Sequence, residues 1–287
     1  MYVIAGATGR VGSNAARQLL SAGAEVRVLV RRRADADAWE AQGAGARLVS
    51  LDDRSTLTEA LTGCAGFFAL LPFDLTVDAL DDHAERLIES IAGAVADAGV
   101  PHVVLLSSGG ADLAEGTGPI AGLHRMEVAL RATGTVLSAL RSGHFQEKLT
   151  DVLDAARESG IYPVFAGSAD MPIPMVATAD LGAVAADVLQ SPPGVSEAID
   201  VLGPSYSERT VATVLGRALG QELTVELIPK EAWVDAFTEA GFRSHIAVSL
   251  AELYQADQQG LLAPRGDRRV SGHTPIEVTI DRLLRAN

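Results

Sequence analysis

The chain has 287 residues, 48% of them hydrophobic, which is enough for one large domain or for a nucleotide-binding domain with a smaller lobe. Its net charge of −14 repels phosphate backbones, so we expect no direct nucleic-acid partner. Apolar runs end before the roughly 18 residues that a bilayer requires, and no signal-peptide pattern is present, so we expect a cytoplasmic protein without a membrane partner. The single cysteine, Cys64, excludes internal disulfides and multi-cysteine metal sites. Its apolar neighbours predict a buried structural thiol, and we predict no bound metal.

The first predicted element is a strand, loop and helix that together suit a dinucleotide. An apolar strand over residues 2–5 ends in glycines at positions 6, 9 and 12, and apolar residues then recur at helical spacing over 10–20. Such glycines permit a tight turn, a close approach of the pyrophosphate and close helix packing, and the helix dipole favours negative charge. An ordinary glycine-rich turn can have the same residues, but the position of this loop between a strand and a helix favours nucleotide binding. The predicted cofactor contacts here are Gly6, Thr8, Gly9, Arg10, Val11 and Gly12.

A basic residue follows the second predicted strand, which covers residues 24–30. Arg31 lies nineteen positions after Gly12, where an acidic residue normally binds the adenosine ribose of NAD. A guanidinium instead meets a 2′-phosphate through charge-assisted hydrogen bonds, which predicts NADP(H) in preference to NAD(H). The alternative is that the run from Arg31 to Arg33 is a solvated basic turn.

Strands and helices then alternate. We predict strands over 46–51, 66–71, 103–106 and 136–140, with helices over 54–61, 78–98 and 123–132. Because helices separate the strands, we predict an α/β fold, a Rossmann-type doubly wound parallel sheet with ligands beyond the carboxyl ends of its strands. Asp52 follows the third strand and either accepts a hydrogen bond from the adenine amine or caps the next helix.

Prolines divide the chain into shorter elements after Arg141. We predict helices over 176–190, 207–219 and 245–258, another beginning at 229–233, and strands over 198–202 and 223–228. Ser207 is the predicted cap of its helix. The predicted NAD(P)-binding Rossmann domain covers 1–150 with returning segments near 176–202, and a smaller C-terminal α/β substrate lobe covers mainly 151–287.

The chain resembles the NmrA-like family of atypical short-chain dehydrogenases/reductases over nearly its whole length. The stretches that carry this resemblance are Gly6-Ala-Thr-Gly-Arg-Val-Gly12 with 26–31, residues 127–134 leading into 140–147, and the tail over 233–260. Family members bind NADP or NAD. Some reduce quinones or other unsaturated carbonyl compounds, whereas others bind the nucleotide without known turnover and act as redox-responsive regulators.

The resemblance also implies catalytic candidates. The wider superfamily uses a Tyr-x-x-x-Lys pair, which this sequence lacks, and the lysine that often precedes the helical glutamate of the family is missing before Glu127. His124 is therefore the candidate proton donor, with Arg125 as an alternative fixed cation, although a histidine on a helix face can also be purely structural. Ser107 and Ser108 lie where the superfamily places a serine that binds the substrate oxygen, although a loop cap is the alternative.

Other segments of the resemblance imply a substrate pocket. Leu71, Pro72 and Phe73 resemble the family segment beside the nicotinamide, where Pro72 and Phe73 would present a flat apolar wall, although a loop proline needs no such role. The family pattern Arg-Pro-x-x-Phe-x-x-Asn appears as residues 141–148 with serine for proline and Lys148 for asparagine. His144 and Phe145 are candidate substrate contacts, and core packing is the alternative for Phe145.

Three functions follow from these residues. The first is an NADPH-dependent reductase that transfers hydride to a small conjugated carbonyl, quinone or imine-type substrate. The second is an NADP(H)-binding redox sensor without turnover, which acts through a regulatory protein partner. The third is an isomerase or lyase with His124, His144 or Asp180 as acid or base. A homodimer is compatible with each.

Overall fold

A computed structural model describes residues 1–286 of the chain. The strands are β1 (Tyr2–Ile4), β2 (Val26–Val30), β3 (Gly45–Leu48), β4 (Gly66–Leu70), β5 (His102–Ser108), β6 (Val136–Ser142), β7 (His144–Phe145), β8 (Ile161–Val164), β9 (Ile173–Val176), β10 (Glu197–Leu202), β11 (Ser205–Tyr206), β12 (Thr224–Leu227) and β13 (Arg268–Ser271).

Helices connect most of these strands. They are α1 (Arg10–Ser21), α2 (Arg33–Glu40), α3 (Arg54–Leu61), α4 (Leu80–Ala98), α5 (Ile120–Ala132), α6 (Leu153–Ser159), α7 (Thr178–Gln190), α8 (Glu208–Leu219), α9 (Trp233–Glu239), α10 (Ser244–Gln258) and α11 (Ile276–Ala286). Short 3₁₀ turns cover Gln146–Asp151 and Lys230–Ala232.

The main sheet has eight strands in the order β13-β10-β6-β5-β4-β1-β2-β3, and every pair in it is parallel. The chain builds outward from β1 to one edge and then from β4 to the other, so the sheet is doubly wound and the predicted Rossmann-type fold is confirmed. The two directions diverge between β1 and β4. In such sheets ligands bind outside the carboxyl ends of the strands at this point.

Helices cover both faces of the sheet, so strand residues that point to either face are buried. On β4, Phe67 packs with the core under α3, α4 and α5, whereas Phe68 packs with the core under α1 and α7. Both phenylalanine side chains are completely buried. The sheet therefore holds its strand ends, and the loops that follow them, in fixed positions.

The C-terminal half contributes to the main sheet and also forms a smaller lobe. Strands β10 and β13 extend the sheet beyond β6, and α7 packs against α1. The lobe contains the three-stranded sheet β11-β9-β7, the parallel pair β12-β8 and helices α8 to α11. A cluster of aromatic side chains joins α9 and α10 within it, comprising Phe165, Trp233, Phe237, Phe242 and Tyr254.

The structure bears on three local predictions, which concern Ser207, Asp52 and Cys64. Ser207 caps α8 by accepting a hydrogen bond from the Thr210 amide, as predicted. The capping interpretation of Asp52 is wrong, because α3 begins at Arg54 and the preceding residue, Asp53, accepts from the Thr56 amide at 3.2 Å. Cys64 is buried as predicted, and burial raises the pKa of its thiol.

Within residues 1–286 no helix is both long enough and apolar enough to cross a membrane. Over the same residues, no group of three or more His, Cys, Asp or Glu side chains lies close enough to hold a metal ion.

Candidate functional site

The loop after β1 packs tightly against the start of α1. Gly6 has φ of +63°, in the left-handed region that favours glycine. A Cβ on Gly12 would lie 2.7 Å from the Gly6 carbonyl carbon and 2.8 Å from the Ala5 carbonyl oxygen. Since both neighbours are backbone atoms, only glycine at position 12 lets the helix come this close to the loop.

The amino terminus of α1 is open to a ligand and is chemically suited to an anion. Gly9 precedes the helix without a side-chain cap, and the first turn contains no acidic residue. The first intrahelical hydrogen bond runs from the Ser13 amide to the Gly9 carbonyl at 3.1 Å, so the amides of residues 10–12 have no helical acceptor. Thr8, Gly9 and Arg10 are exposed beside them. These groups fit the diphosphate of a dinucleotide.

Arg10 also connects this loop to the segment that follows β7. Its Nη1 lies 3.5 Å from the Glu147 carbonyl oxygen, and its Nη2 lies 3.5 Å from Thr150 Oγ1. The Glu147 carboxylate is buried and accepts from the amide and the hydroxyl of Thr178 at the start of α7. The 3₁₀ turn over Gln146–Asp151 is therefore held between the start of α1 and the start of α7.

The three arginines after β2 differ in their partners. Arg32 makes a bidentate ion pair with Asp35 at 2.8 and 2.9 Å, and its hydrogen bond is the main cause of the lowered pKa of Asp35. Arg33 pairs with Asp37 at 2.9 Å. Arg31 is exposed and has no hydrogen-bond or ion-pair partner within residues 1–286. Of the three guanidinium groups, that of Arg31 is free to bind a phosphate.

The remaining predicted cofactor contacts lie along the same edge of the sheet. Asp52 is exposed in the loop after β3, next to the end of β2. After β4, Leu71 is buried and Pro72 is half-buried, and the Phe73 ring is 44% exposed. Pro72 and Phe73 form part of the wall of a cleft.

This cleft has a volume of about 620 Å³ and lies between α4, the loop before α5, and α10. A Cβ on Gly118, whose φ is +57°, would lie 3.0 Å from the Leu253 amide nitrogen, so glycine lets α10 approach this loop closely. The cleft wall combines apolar and acidic side chains with Arg125 and two histidines; its lining includes Phe73, Val248, Asp78, Asp81, Asp82, Glu115, Glu252, Arg125, His83 and His245. Arg125 is itself paired with Asp81 at 2.7 Å and with Glu85 at 2.5 Å.

His124 lies on α5 with a fixed ring orientation. Its Nδ1 is 3.0 Å from the Ala111 carbonyl oxygen, and the side chain is half-buried. Because a carbonyl oxygen only accepts, Nδ1 must carry the proton, and Nε2 is the nitrogen that is free for other chemistry. A neutral ring in this orientation accepts a proton at Nε2, and only the imidazolium donates one there.

The two serines at the end of β5 have different surroundings. Ser107 is buried and donates to Glu127 Oε1 at 2.7 Å. Glu127 also accepts hydrogen bonds from Arg141 Nε at 2.9 Å and from Arg141 Nη2 at 2.7 Å. Burial lowers the pKa of Arg141, but the hydrogen bond and charge of Glu127 outweigh this, so the pKa is raised. The Ser107 hydroxyl therefore belongs to a buried ionic network.

Ser108 points to the opposite face of the sheet from Ser107, as successive strand residues do. Its hydroxyl has no hydrogen-bond partner in the part of the chain that the structure describes, and the residue is half-buried. Its register partner on β6 is Ser142. Of the two predicted serines, Ser108 is thus the one whose hydroxyl is available to a ligand.

The two predicted substrate contacts after β6 have different surroundings. Phe145 is half-buried and packs against the core beneath α1 and α7. His144 Nε2 instead lies 3.0 Å from Asp257 Oδ2 of α10, with the two side chains 21% and 31% exposed. Phe145 therefore packs in the core, which was the alternative to a substrate contact, whereas His144 lies in a polar and partly exposed site.

Comparison with known proteins identifies the family. The sequence profile of the NmrA-like family matches residues 2–277. The chain belongs to this family. NAD(P)H azoreductase of Xenophilus azovorans is 28% identical over 257 residues, which cover 88% of this chain and 86% of that protein. Quinone oxidoreductase 2 of Escherichia coli is 26% identical over 258 residues, which cover 88% of this chain and 86% of that protein.

A solved structure shares the fold of this NmrA-like chain. Triphenylmethane reductase of a Citrobacter species, crystallised with NADP(H), superposes with a TM-score of 0.81. The two chains are 21% identical, and the match covers 98% of this chain and 99% of that one. At this identity the comparison establishes the common fold.

Two features of the NmrA-like site were not found by sequence reasoning. The first is the network of Ser107, Glu127 and Arg141, and the second is Asp257 as the partner of His144. Glu127 and Arg141 both lie in segments that carry the family resemblance, which was a usable signal for the first. Asp257 lies 113 positions after His144 on an otherwise ordinary helix, so no local pattern marked it.

Proposed function

We propose that this chain is an NADPH-dependent reductase that transfers hydride to a small conjugated carbonyl, quinone or imine-type acceptor. The observation that carries the proposal is the open amino terminus of α1 with the unpaired Arg31 nearby. A diphosphate fits the first site, and a 2′-phosphate fits the second. When bound, NADPH supplies the hydride.

We assign the other nucleotide contacts on the same basis. The amides of residues 10–12 bind the diphosphate, Asp52 accepts from the adenine amine, and Leu71 and Pro72 lie beside the nicotinamide. Residues 1–150 then form the nucleotide-binding domain, with returning segments near 176–202. The lobe within 151–287 supplies α10, which forms one wall of the cleft next to Phe73.

The acceptor class is supported by the cleft and by the relatives. A flat apolar wall at Pro72 and Phe73 suits a planar conjugated molecule, and the cleft volume of about 620 Å³ is within the usual range for small-molecule sites. The two relatives described above are named as an NAD(P)H azoreductase and a quinone oxidoreductase. Acceptors of this kind delocalise the charge that hydride transfer leaves, which is consistent with a site that lacks the Tyr-x-x-x-Lys pair.

A second candidate is an NADP(H)-binding redox sensor without turnover. The missing Tyr-x-x-x-Lys pair supports it. An isomerase or lyase with Asp180 as acid or base has less support, because both Asp180 oxygens accept from Thr274, at 2.8 Å from the amide and 2.6 Å from the hydroxyl. That carboxylate holds the segment before α11.

One experiment separates these candidates. NADPH and NADH are titrated by fluorescence, and NADPH oxidation is then followed with a panel of quinones, enones and imines. Tighter binding of NADPH together with turnover supports the reductase. Tight binding without turnover of any acceptor favours the sensor, and failure to bind either nucleotide contradicts both.

A further inference from the structure

We infer that the proton that completes the reduction is donated by His144 and that Asp257 positions its ring. The inference rests on the proposed reductase function and adds a residue to it. In the balanced reaction, acceptor, NADPH and one proton give NADP⁺ and the reduced acceptor. The hydride brings two electrons to a carbon or nitrogen of the acceptor, and the proton forms the bond at the other reduced atom. The His144 imidazolium becomes neutral and recovers its proton from water.

His144 lies where the reacting end of a bound nucleotide is expected. It follows β6 by one residue, and the end of β6 is joined to β5 by the Gly109 amide, which donates to the Ser142 carbonyl at 3.0 Å. A Cβ on the intervening Gly143 would meet no atom within 4 Å, so the chain borders open space there. His144 is therefore at the carboxyl ends of the central strands, on the ligand side of the sheet.

The turn that follows His144 connects it to the start of α1. The turn over Gln146–Asp151 lies beside Arg10, whose Nη1 is 3.5 Å from the Glu147 carbonyl oxygen. The segment from His144 to Thr150 thus extends along the crevice from the end of β6 to the start of α1. A dinucleotide on α1 that reaches the ends of β5 and β6 must run beside this segment.

The contact between His144 and Asp257 determines which nitrogen can act. A carboxylate at 3.0 Å accepts from Nε2–H, so Nδ1 is left to exchange a proton with the acceptor. The carboxylate orients the ring and would form an ion pair with the imidazolium, as the acid does in a Ser-His-Asp triad. His124 differs, because its hydrogen-bond partner is a neutral carbonyl that fixes the tautomer without stabilising a positive charge. Of the two histidines, His144 is the better donor.

The charged groups around His144 leave this pair undisturbed. From α10, Asp257 faces the ring, whereas Tyr254 faces Lys148, whose ammonium lies 5.3 Å from the centre of the tyrosine ring. From β9, the register partners of residues 144 and 145 are Met175 and Val176, which carry no charge. Within residues 1–286, Asp257 is the one carboxylate at ion-pair distance from His144.

Helix α10 carries both one wall of the cleft and the hydrogen-bond partner of His144. Its residues His245, Val248, Ser249 and Glu252 line the cleft. Asp257 lies five positions after Glu252, which is about 7.5 Å along the helix axis. One helix therefore forms a cleft wall and orients the proposed proton donor.

The test compares His144→Gln, Asp257→Asn and His124→Gln with a matched control, His273→Gln, which changes an exposed histidine outside the site. Each is assayed with a quinone and with a simple enone at saturating NADPH. General acid catalysis contributes on the order of 10²-fold or more, and it matters most where the oxygen to be protonated is strongly basic. We expect His144→Gln to lower kcat for the enone roughly 10²-fold and for the quinone much less. Asp257→Asn should give an intermediate loss, and the control should give none.

Binding and pH dependence distinguish chemistry from structural damage. NADPH affinity should stay within about twofold of wild type in His144→Gln and Asp257→Asn, which also reports correct folding. For the enone, and to a smaller extent for the quinone, kcat should fall as pH rises, because only the imidazolium donates a proton, and His144→Gln should remove this fall.

The inference is overturned if wild-type protein reduces acceptors while His144→Gln keeps the wild-type rate and pH profile. It is equally overturned if His124→Gln, rather than His144→Gln, removes the pH dependence; the reductase proposal then stands. A wild-type protein that binds NADPH but reduces no acceptor contradicts the proposed function itself, and the inference fails with it.

Discussion

Replacing Arg31 with alanine tests the assignment of the 2′-phosphate site. Arg32 and Arg33 are held in ion pairs with Asp35 and Asp37, whereas Arg31 is exposed and has no partner within residues 1–286. Arg31→Ala therefore removes no side-chain hydrogen bond or ion pair within residues 1–286. Its effect should fall on the phosphate that distinguishes NADPH from NADH, and the stability of the protein should be unchanged.

The expected magnitude follows from the exposure of Arg31. A hydrogen bond to a charged group contributes about 1.5–3 kcal/mol, and solvent screening places an exposed arginine near the lower end of this range. A loss of about 1.5 kcal/mol corresponds to a roughly tenfold weaker Kd. The loss should be larger at low ionic strength, since the Debye length grows to about 30 Å at 0.01 M salt.

The assay is fluorescence titration of wild type, Arg31→Ala and the control Arg33→Ala with NADPH and NADH at two salt concentrations. We expect the NADPH Kd of Arg31→Ala to rise roughly tenfold, with both the NADH Kd and the control within about twofold of wild type. Equal losses for both nucleotides, or an NADPH affinity that does not change, would refute the assignment of Arg31 to the 2′-phosphate.

Three further substitutions test the frame of the site. Gly12→Ala should weaken NADPH binding more than tenfold or prevent folding, because its Cβ would lie 2.8 Å from the Ala5 carbonyl oxygen; titration and circular dichroism check this. Glu127→Gln should lower the free energy of unfolding by about 3–5 kcal/mol in urea titration, because it leaves Arg141 buried without its main partner. His102→Gln should reduce the loss of stability on acidification. Burial lowers the pKa of His102, so stability is full above the unfolded value near 6.5 and falls below it by up to about 1.4 kcal/mol per pH unit.

The parts of the fold that depend on neighbouring residues could be predicted from the sequence. The glycine loop with α1, and the Ser207 cap of α8, each involve contacts within a few positions, so the residue types alone indicate the geometry. The long apolar strands were predictable because each consists mainly of apolar residues. Asp52 shows the limit of this reasoning, since a shift of one residue gave the cap to Asp53.

Features that depend on distant residues could not be predicted in this way. Helix α2 begins with an arginine and contains Asp35 and Asp37 among alanines, a pattern that is also typical of a polar turn. Its helical structure depends on Trp39, which packs against the core. Strand β13 is mostly exposed and exists through its pairing with β10. The pair of His144 and Asp257 likewise depends on how the lobe packs against β6, which no short pattern encodes.

The most direct test of the central claim is transfer of deuterium from NADPH labelled at C4, prepared separately with each stereochemistry, to the best enone or imine acceptor, on which the transferred atom becomes bound to carbon and does not exchange with water. Mass spectrometry of the reduced acceptor reports whether the label arrives. We predict that one of the two labelled cofactors places its deuterium on the product and the other does not. Reduced acceptor without label from either cofactor, or bound NADPH with no reduced acceptor at all, would contradict hydride transfer by this protein.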